Sequence, residues 1–214
     1  MFIKNGFRVV FAGDSITDSG RFLAGAGAGP NYPLGNGYVK FFAEMVAARY
    51  PQIRVEVYNA GVSGNTVKDL RDRWEDDVLS LSPDWVSVLI GINDLNRSLA
   101  GEPGLDPGSY YSNYSEILKM TAGKVSGITT MTPFYVSGAK GGNRARVITA
   151  LPNYVEKVKS LSSEYSTELI DLSSAFAYSA KVRGPLTYSL EAVHPSETGH
   201  MLIALKLLES VKAP

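Results

Sequence analysis

The residues with the most evident chemical potential are Glu191 and His194. A carboxylate three residues before a histidine can meet the imidazole across one turn, fix its tautomer and stabilise the imidazolium. The chain has only two histidines, His194 and His200. His200 falls inside a helical pattern and reads as a surface or packing residue. A histidine followed by proline, as His194 is, is also compatible with a purely structural role. A base needs a nucleophile, and Gly13-Asp14-Ser15-Ile16-Thr17-Asp18 offers one. A serine directly after a strand and at the mouth of a helix exposes its hydroxyl where backbone N–H groups favour negative charge. The same residues also suit a plain helix cap.

Two further segments could supply oxyanion donors. In Asn59-Ala60-Gly61-Val62-Ser63-Gly64-Asn65-Thr66, small residues let a backbone N–H approach a ligand closely. The segment also reads as an ordinary strand-to-helix turn. It is not a G-x-S-x-G nucleophile elbow, because Asn65 stands where that motif needs glycine. In Gly91-Ile92-Asn93-Asp94, an amide side chain at the end of a buried strand can donate to developing negative charge. An Asx turn is the other reading.

These segments need elements that bring them to one place. Short β-type runs alternate with longer helical stretches. Strands are predicted over residues 7–12, 53–58, 85–90, 127–135 and 168–172, and helices over 37–50, 66–79, 110–121, 144–165 and 198–212. Val67, Leu70, Trp74 and Val78 share one helical face, and Pro152 marks a possible break in the long fourth helix. Trp74 and Trp85 both fall on apolar periods and read as core. Arg71 and Arg73 alternate with acids, as on a solvated helix face. Tyr110, Tyr111, Tyr135 and Tyr188 lie near loops and could stack on sugar rings or serve as surface residues. Five strands separated by helices predict an α/β fold, a flavodoxin-like three-layer α/β/α arrangement around a five-stranded parallel sheet. Such sheets place ligand chemistry at the carboxyl ends of their strands. The expected organisation is a single domain over residues 1–214.

Composition narrows the function classes. Hydrophobic residues make up 44% and charged residues 20% of 214, a globular balance. Twenty-one basic and 21 acidic residues cancel, so no global field draws nucleic acid. The absence of cysteine excludes disulfides and thiol catalysis, and with only two histidines there is little to hold a catalytic zinc. Gly25-Ala26-Gly27-Ala28-Gly29-Pro30 superficially matches a dinucleotide fingerprint but follows no strand directly, and no phosphate-binding P-loop motif occurs. The expectation is therefore an enzyme without metal or organic cofactor. Residues 1–6 show no secretory leader and no run is long enough to span a membrane, so a cytoplasmic protein without membrane partners is expected. Residues 19–37 form a glycine-rich loop of a length usually functional or mobile.

Taken together, the four segments resemble the SGNH (GDSL) hydrolase superfamily. The resemblance rests on the Gly-Asp-Ser15 block, the Gly64-Asn65-Thr66 block, Gly91-Ile92-Asn93-Asp94 and Val193-His194-Pro195, in family order over residues 13–195. Arg73-Trp74-Glu75-Asp76-Asp77-Val78, Pro83-Asp84-Trp85-Val86-Ser87 and Met131-Thr132-Pro133-Phe134-Tyr135 are similar to the bacterial acetylxylan esterase branch. The resemblance implies Ser15 as nucleophile, His194 as general base and then acid, and Glu191 as the residue orienting it. It implies an oxyanion hole made by the backbone N–H groups of Ser15 and Gly64 and the amide of Asn93. It also implies removal of short acyl groups, acetyl above all, from carbohydrate esters such as those of xylo-oligosaccharides, by an enzyme that assembles into homo-oligomers. A broad short-chain carboxylesterase, thioesterase or lysophospholipase is the alternative activity, and a non-catalytic carbohydrate-binding relative a further one. The chain departs from the family pattern at Glu191, where aspartate is usual. Glutamate is one methylene longer and must approach the imidazole by another backbone path or rotamer. Ser189 and Leu190 also stand where that branch carries an aromatic beside the acid.

Overall fold

The structure, a computed structural model, describes residues 1–21, 34–136, 138 and 142–213. Most of the predicted 19–37 loop, including the glycine run 25–30, lies outside the described residues.

Five parallel strands form one sheet in the order β2-β1-β3-β4-β5. They are β1 (Arg8–Gly13), β2 (Glu56–Gly61), β3 (Trp85–Leu89), β4 (Gly127–Met131) and β5 (Glu168–Ile170). β3 is buried along its whole length, as its continuous apolar run requires of a central strand covered on both faces. Nine helices are described: α1 (Ser15–Asp18), α2 (Tyr38–Arg49), α3 (Val67–Asp72), α4 (Trp74–Asp77), α5 (Ile92–Leu99), α6 (Pro107–Thr121), α7 (Gly142–Glu164), α8 (Leu172–Arg183) and α9 (Glu197–Ser210). On one face α2 packs along α9, and on the other α6 packs between α3 and α7.

Apolar side chains from the sheet lock these layers. Phe11 of β1 meets the rings of Tyr38 and Phe42 of α2 edge-on, at centroid distances of 5.8 and 5.2 Å. Both tryptophans are core residues with their indole N–H groups satisfied. Trp74 donates to Thr121 Oγ1 and Trp85 to Thr129 Oγ1, each at 2.9 Å. Tyr110 is fully buried and Tyr188 nearly so, so neither is free to stack on a sugar.

Several predicted boundaries move. β2 lies three residues later than the alternation of Ile53, Val55 and Val57 indicates, because its buried positions are Val57, Asn59, Ala60 and Gly61. The predicted 66–79 helix divides at Arg73, whose φ of −110° and ψ of 9° separate α3 from α4. β4 and β5 end at Met131 and Ile170, short of the predicted 135 and 172. α7 continues through Pro152 rather than breaking there. α5 and α8 escaped the sequence reading; in α5 Asn93, Asp94, Asn96 and Ser98 are weak helix formers.

His200 is buried, not a surface residue, at 8% exposure. Gly37 offers no side chain to cap α2. His200 Nδ1 instead accepts the Tyr38 N–H at 3.2 Å, and its ring stacks against Tyr38. This role requires the neutral imidazole. Burial, helped by the nearby His194, lowers its pKa from 6.5 to about 4. The folded protein thus resists a proton that the unfolded chain accepts. The stability His200 contributes is complete above about pH 6.5 and is lost as pH falls toward 4, by about 3 kcal/mol. We predict that the melting-temperature gap between wild type and His200→Gln narrows over that interval when followed by circular dichroism. A constant gap would contradict it.

Candidate active site

The strand order reverses direction at β1, between β2 and β3, and the crevice beyond the carboxyl ends of such strands is where α/β sheets bind ligands. Ser15, Gly64 and Asn93 follow the carboxyl ends of β1, β2 and β3, respectively. Register brings these ends level: Gly13 lies beside Gly61 on one side and Leu89 on the other. At Gly61 any side chain would collide with the backbone of α1 at Thr17 and Asp18.

Ser15 opens α1 but does not cap it. Asp14 is the N-cap, its carboxylate accepting the Ile16 N–H at 2.9 Å. That leaves the Ser15 hydroxyl free of capping, and its Oγ lies 2.8 Å from His194 Nε2. The cap reading of the Gly-Asp-Ser segment thus falls on Asp14.

His194 sits in the segment before α9. Ser189 Oγ donates to the His194 carbonyl at 2.7 Å, Ser196 N–H to the Tyr188 carbonyl at 2.9 Å, and Val136 N–H to the Ala192 carbonyl at 2.8 Å. Glu191 Oε1 pairs with His194 Nδ1 and also accepts the His194 backbone N–H at 3.2 Å. Ala192, between the two residues, has φ +77°, a conformation that costs a non-glycine residue about 1 kcal/mol or more. The Glu191 and His194 side chains are both about half exposed. A contact this exposed adds little stability.

Gly64 has φ +84°, which glycine adopts without strain. A turn closed by Asn65 N–H to the Val62 carbonyl at 3.2 Å holds it. Asn93 is not in an Asx turn but in the first turn of α5. Its Nδ2 donates to the Asn65 carbonyl at 2.9 Å. An amide nitrogen carries two hydrogens, so one contact orients the group and the other hydrogen remains to donate. Ser15 connects to this pair through Gly13, whose carbonyl accepts from Val62 N–H at 3.1 Å and from Arg73 Nη2 at 3.2 Å.

Arg73 departs from the solvated face expected of it. Its side chain is only 16% exposed, and it also donates from Nε to Asn65 Oδ1 at 2.6 Å. Asn59, Asn65 and Asp94 lie in segments singled out from sequence but had no role assigned there, and Arg73 was not identified as part of the site. Asn59 Nδ2 donates to the Thr17 and Leu34 carbonyls at 2.7 and 2.8 Å, tying the ends of β1 and β2 to the chain before α2. Nothing in their spacing signals such long-range contacts. Among the described residues no cluster of His, Cys, Asp or Glu could hold a metal ion, and no helix is long and apolar enough to cross a membrane.

This geometry has known counterparts. The model of the GDSL-like lipase/acylhydrolase family matches residues 11–202. An acetylxylan esterase from Geobacillus stearothermophilus is 37% identical over 99% of this chain and 96% of its own length. A crystal structure of that esterase superposes with a TM-score of 0.86 at 37% identity, covering 98% of this chain and 95% of the other. Structures of its catalytic mutants, with a serine, an aspartate or a histidine replaced by alanine, are equally similar. An alpha/beta hydrolase enzyme from the metagenome of Lake Arreo aligns with a TM-score of 0.85 at 32% identity, over 97% of this chain and 95% of that one. The chain belongs to the GDSL-like lipase/acylhydrolase family, and it is a carboxylic ester hydrolase.

The site rests on two buried carboxyls. Asp14 and Asp94 are 1% and 0% exposed, and burial pushes each up to about 7. The folded state holds these protons more tightly than the unfolded chain. Their contribution to stability is complete below about pH 4 and declines as pH rises through 7. Asp14→Asn should accordingly gain stability over wild type at pH 8 and not at pH 4, by on the order of 4 kcal/mol at most. Chemical denaturation at the two pH values measures this, and an equal difference at both would refute it.

Proposed function

We propose that residues 1–214 form one catalytic domain that hydrolyses esters through an acyl-enzyme on Ser15. The observation that carries this reading is the unbroken row from Ser15 Oγ to His194 Nε2, at 2.8 Å, and from His194 Nδ1 to the Glu191 carboxylate. Ser15 attacks the ester carbonyl while His194 takes the hydroxyl proton. Glu191 holds the Nδ1–H tautomer and stabilises the imidazolium. The tetrahedral oxyanion is received by the Ser15 and Gly64 N–H groups and the second hydrogen of the Asn93 amide. Collapse expels the alcohol, which takes its proton from His194. Water then repeats the sequence in reverse and releases the acid.

The acyl group is acetyl and the alcohol a sugar hydroxyl, of the xylo-oligosaccharide class. Support comes from whole-length similarity to the Geobacillus acetylxylan esterase, one variant of which is described as an acetyl-xylooligosaccharide esterase and is covered completely, as is this chain, at 36% identity. A second reading, a broad short-chain carboxylesterase, is favoured by one feature. Beside Glu191 lies a cavity of about 380 Å³ lined largely by apolar side chains, among them Val136, Pro185, Leu186 and Leu190. Homo-oligomerisation belongs to the same proposal. The exposed Tyr178 and Val182, one turn apart on α8, offer an apolar strip that a second copy would cover.

Initial rates on acetylated xylo-oligosaccharides, p-nitrophenyl acetate and p-nitrophenyl octanoate separate the two activities. The proposal expects rapid acetate release from the sugar and a steep fall from acetyl to octanoyl, whereas comparable rates on both aryl esters with none on the sugar would leave the broader esterase. Ser15→Ala should lose roughly 10⁴-fold or more in kcat, and Asn93→Ala about 10²-fold or more, near 3 kcal/mol. Glu191→Gln should lower kcat through loss of the tautomer-fixing charge, and an unchanged rate would mean that another group orients His194.

A further inference from the structure

Two of the three oxyanion donors just proposed sit on different elements, and something must hold them in register. Gly64 is in the turn before α3, and Asn93 is in the first turn of α5. A misplacement of about 1 Å at such a site can cost around 10²-fold in rate. The Asn93 contact with the Asn65 carbonyl is one link between the elements, but Asn93 is itself a donor and its amide can rotate.

The other link is Asp94. Its side chain is fully buried, and both carboxyl oxygens accept the same backbone group, the Val67 N–H, at 3.0 and 3.1 Å. Val67 is the first residue of α3, directly after the Thr66 N-cap, and is itself fully buried. The first amides of a helix have no partner within the helix. This one is satisfied from α5, by the residue adjacent to Asn93. Thr66 closes a capping box with Asp69, so α3 is capped without Asp94. The Asp94 contact is thus a bridge between elements rather than a requirement for starting the helix.

We infer that Asp94 is a positioning residue for ester hydrolysis, its hydrogen bond to the Val67 N–H setting the spacing between the Gly64 and Asn93 oxyanion donors. Asp94 touches neither substrate nor reacting atoms. Its effect belongs to the transition state, where the oxyanion forms, and not to ground-state binding. The inference rests on the oxyanion roles proposed above for Gly64 and Asn93.

Position 67 allows the bond to be deleted without loss of an intrahelical bond, although the buried Val67 side chain also changes. Proline is well suited to the first position of a helix, where its missing N–H breaks no intrahelical bond. Thr66, with φ −88° and ψ 172°, already has the extended backbone that a residue before proline requires. Val67→Pro therefore removes the N–H through which Asp94 holds α3. For acetyl ester hydrolysis at a temperature well below the variant's melting transition, we expect kcat to fall about 10- to 100-fold with KM within about twofold. Inhibition by a boronic acid, which forms a tetrahedral adduct, should weaken in parallel. A residue needed only for stability would lower the melting temperature and leave both readouts unmoved. Asp94→Asn, which keeps an acceptor oxygen, should retain kcat within about threefold, and Asp94→Ala should match Val67→Pro. If Val67→Pro does not fold, the Asn and Ala variants of Asp94 decide. Equal kcat in both, at the wild-type level or equally reduced, overturns the inference. Asn93→Ala run alongside separates the two levels. Loss of kcat in Asn93→Ala with full kcat in Val67→Pro and Asp94→Ala defeats the inference alone, whereas full kcat in Asn93→Ala defeats the oxyanion assignment beneath it.

Discussion

One hydrogen bond organises this molecule, the 2.8 Å contact between Ser15 Oγ and His194 Nε2 across 179 positions of sequence. Its two ends have no local means of meeting. Ser15 follows the first strand, and His194 precedes the last helix. They meet because all five strands run parallel and so end on the same edge, with β1 beside both β2 and β3. The final helix then returns to pack along α2. Sheet order, the right-handed sense of the crossovers and the α2–α9 contact are thus preconditions of a contact between two side chains.

The same edge shows a division of labour between neighbours in sequence. Asp14 caps α1, so Ser15 need not. Asp94 grips α3, while Asn93 turns its amide toward the Gly64 turn. In each pair a buried carboxyl does structural work beside a residue with chemical potential. Burial pushes both carboxyls upward, and a neutral carboxyl is the form least costly to bury. By contrast, Glu191, the acid paired with His194, is half exposed, which keeps it solvated.

How much of this was legible in the sequence depended on the range of the interaction. β1 and β3 were readable because short, β-branched apolar runs that end in glycine fit a strand covered on both faces. The Glu191–His194 pair was readable because three residues is a local distance. β2 was displaced because its register is set by pairing with β1, with Glu56 opposite Arg8, and not by its own alternation. Arg73 looked solvated because its neighbours are charged, and it does pair with Asp77 one turn on, yet it also reaches the Gly13 carbonyl, 60 residues away, and Asn65. His200 had no signature at all, since the amide it caps is 162 residues distant. The positive φ of Ala192 likewise had no local signal, since its carbonyl is held by the Val136 N–H, 56 residues away.

The central claim is that Ser15 carries the acyl group between two half-reactions, and direct observation of that intermediate tests it most sharply. The enzyme would be mixed with an excess of p-nitrophenyl acetate, quenched in acid within milliseconds and digested for mass spectrometry. The account predicts one added acetyl group on the peptide containing Ser15, appearing with the first burst of nitrophenol and absent from the enzyme after substrate is exhausted. Rapid turnover with no acetyl on Ser15 at any quench time, or acetyl on another residue, would contradict it.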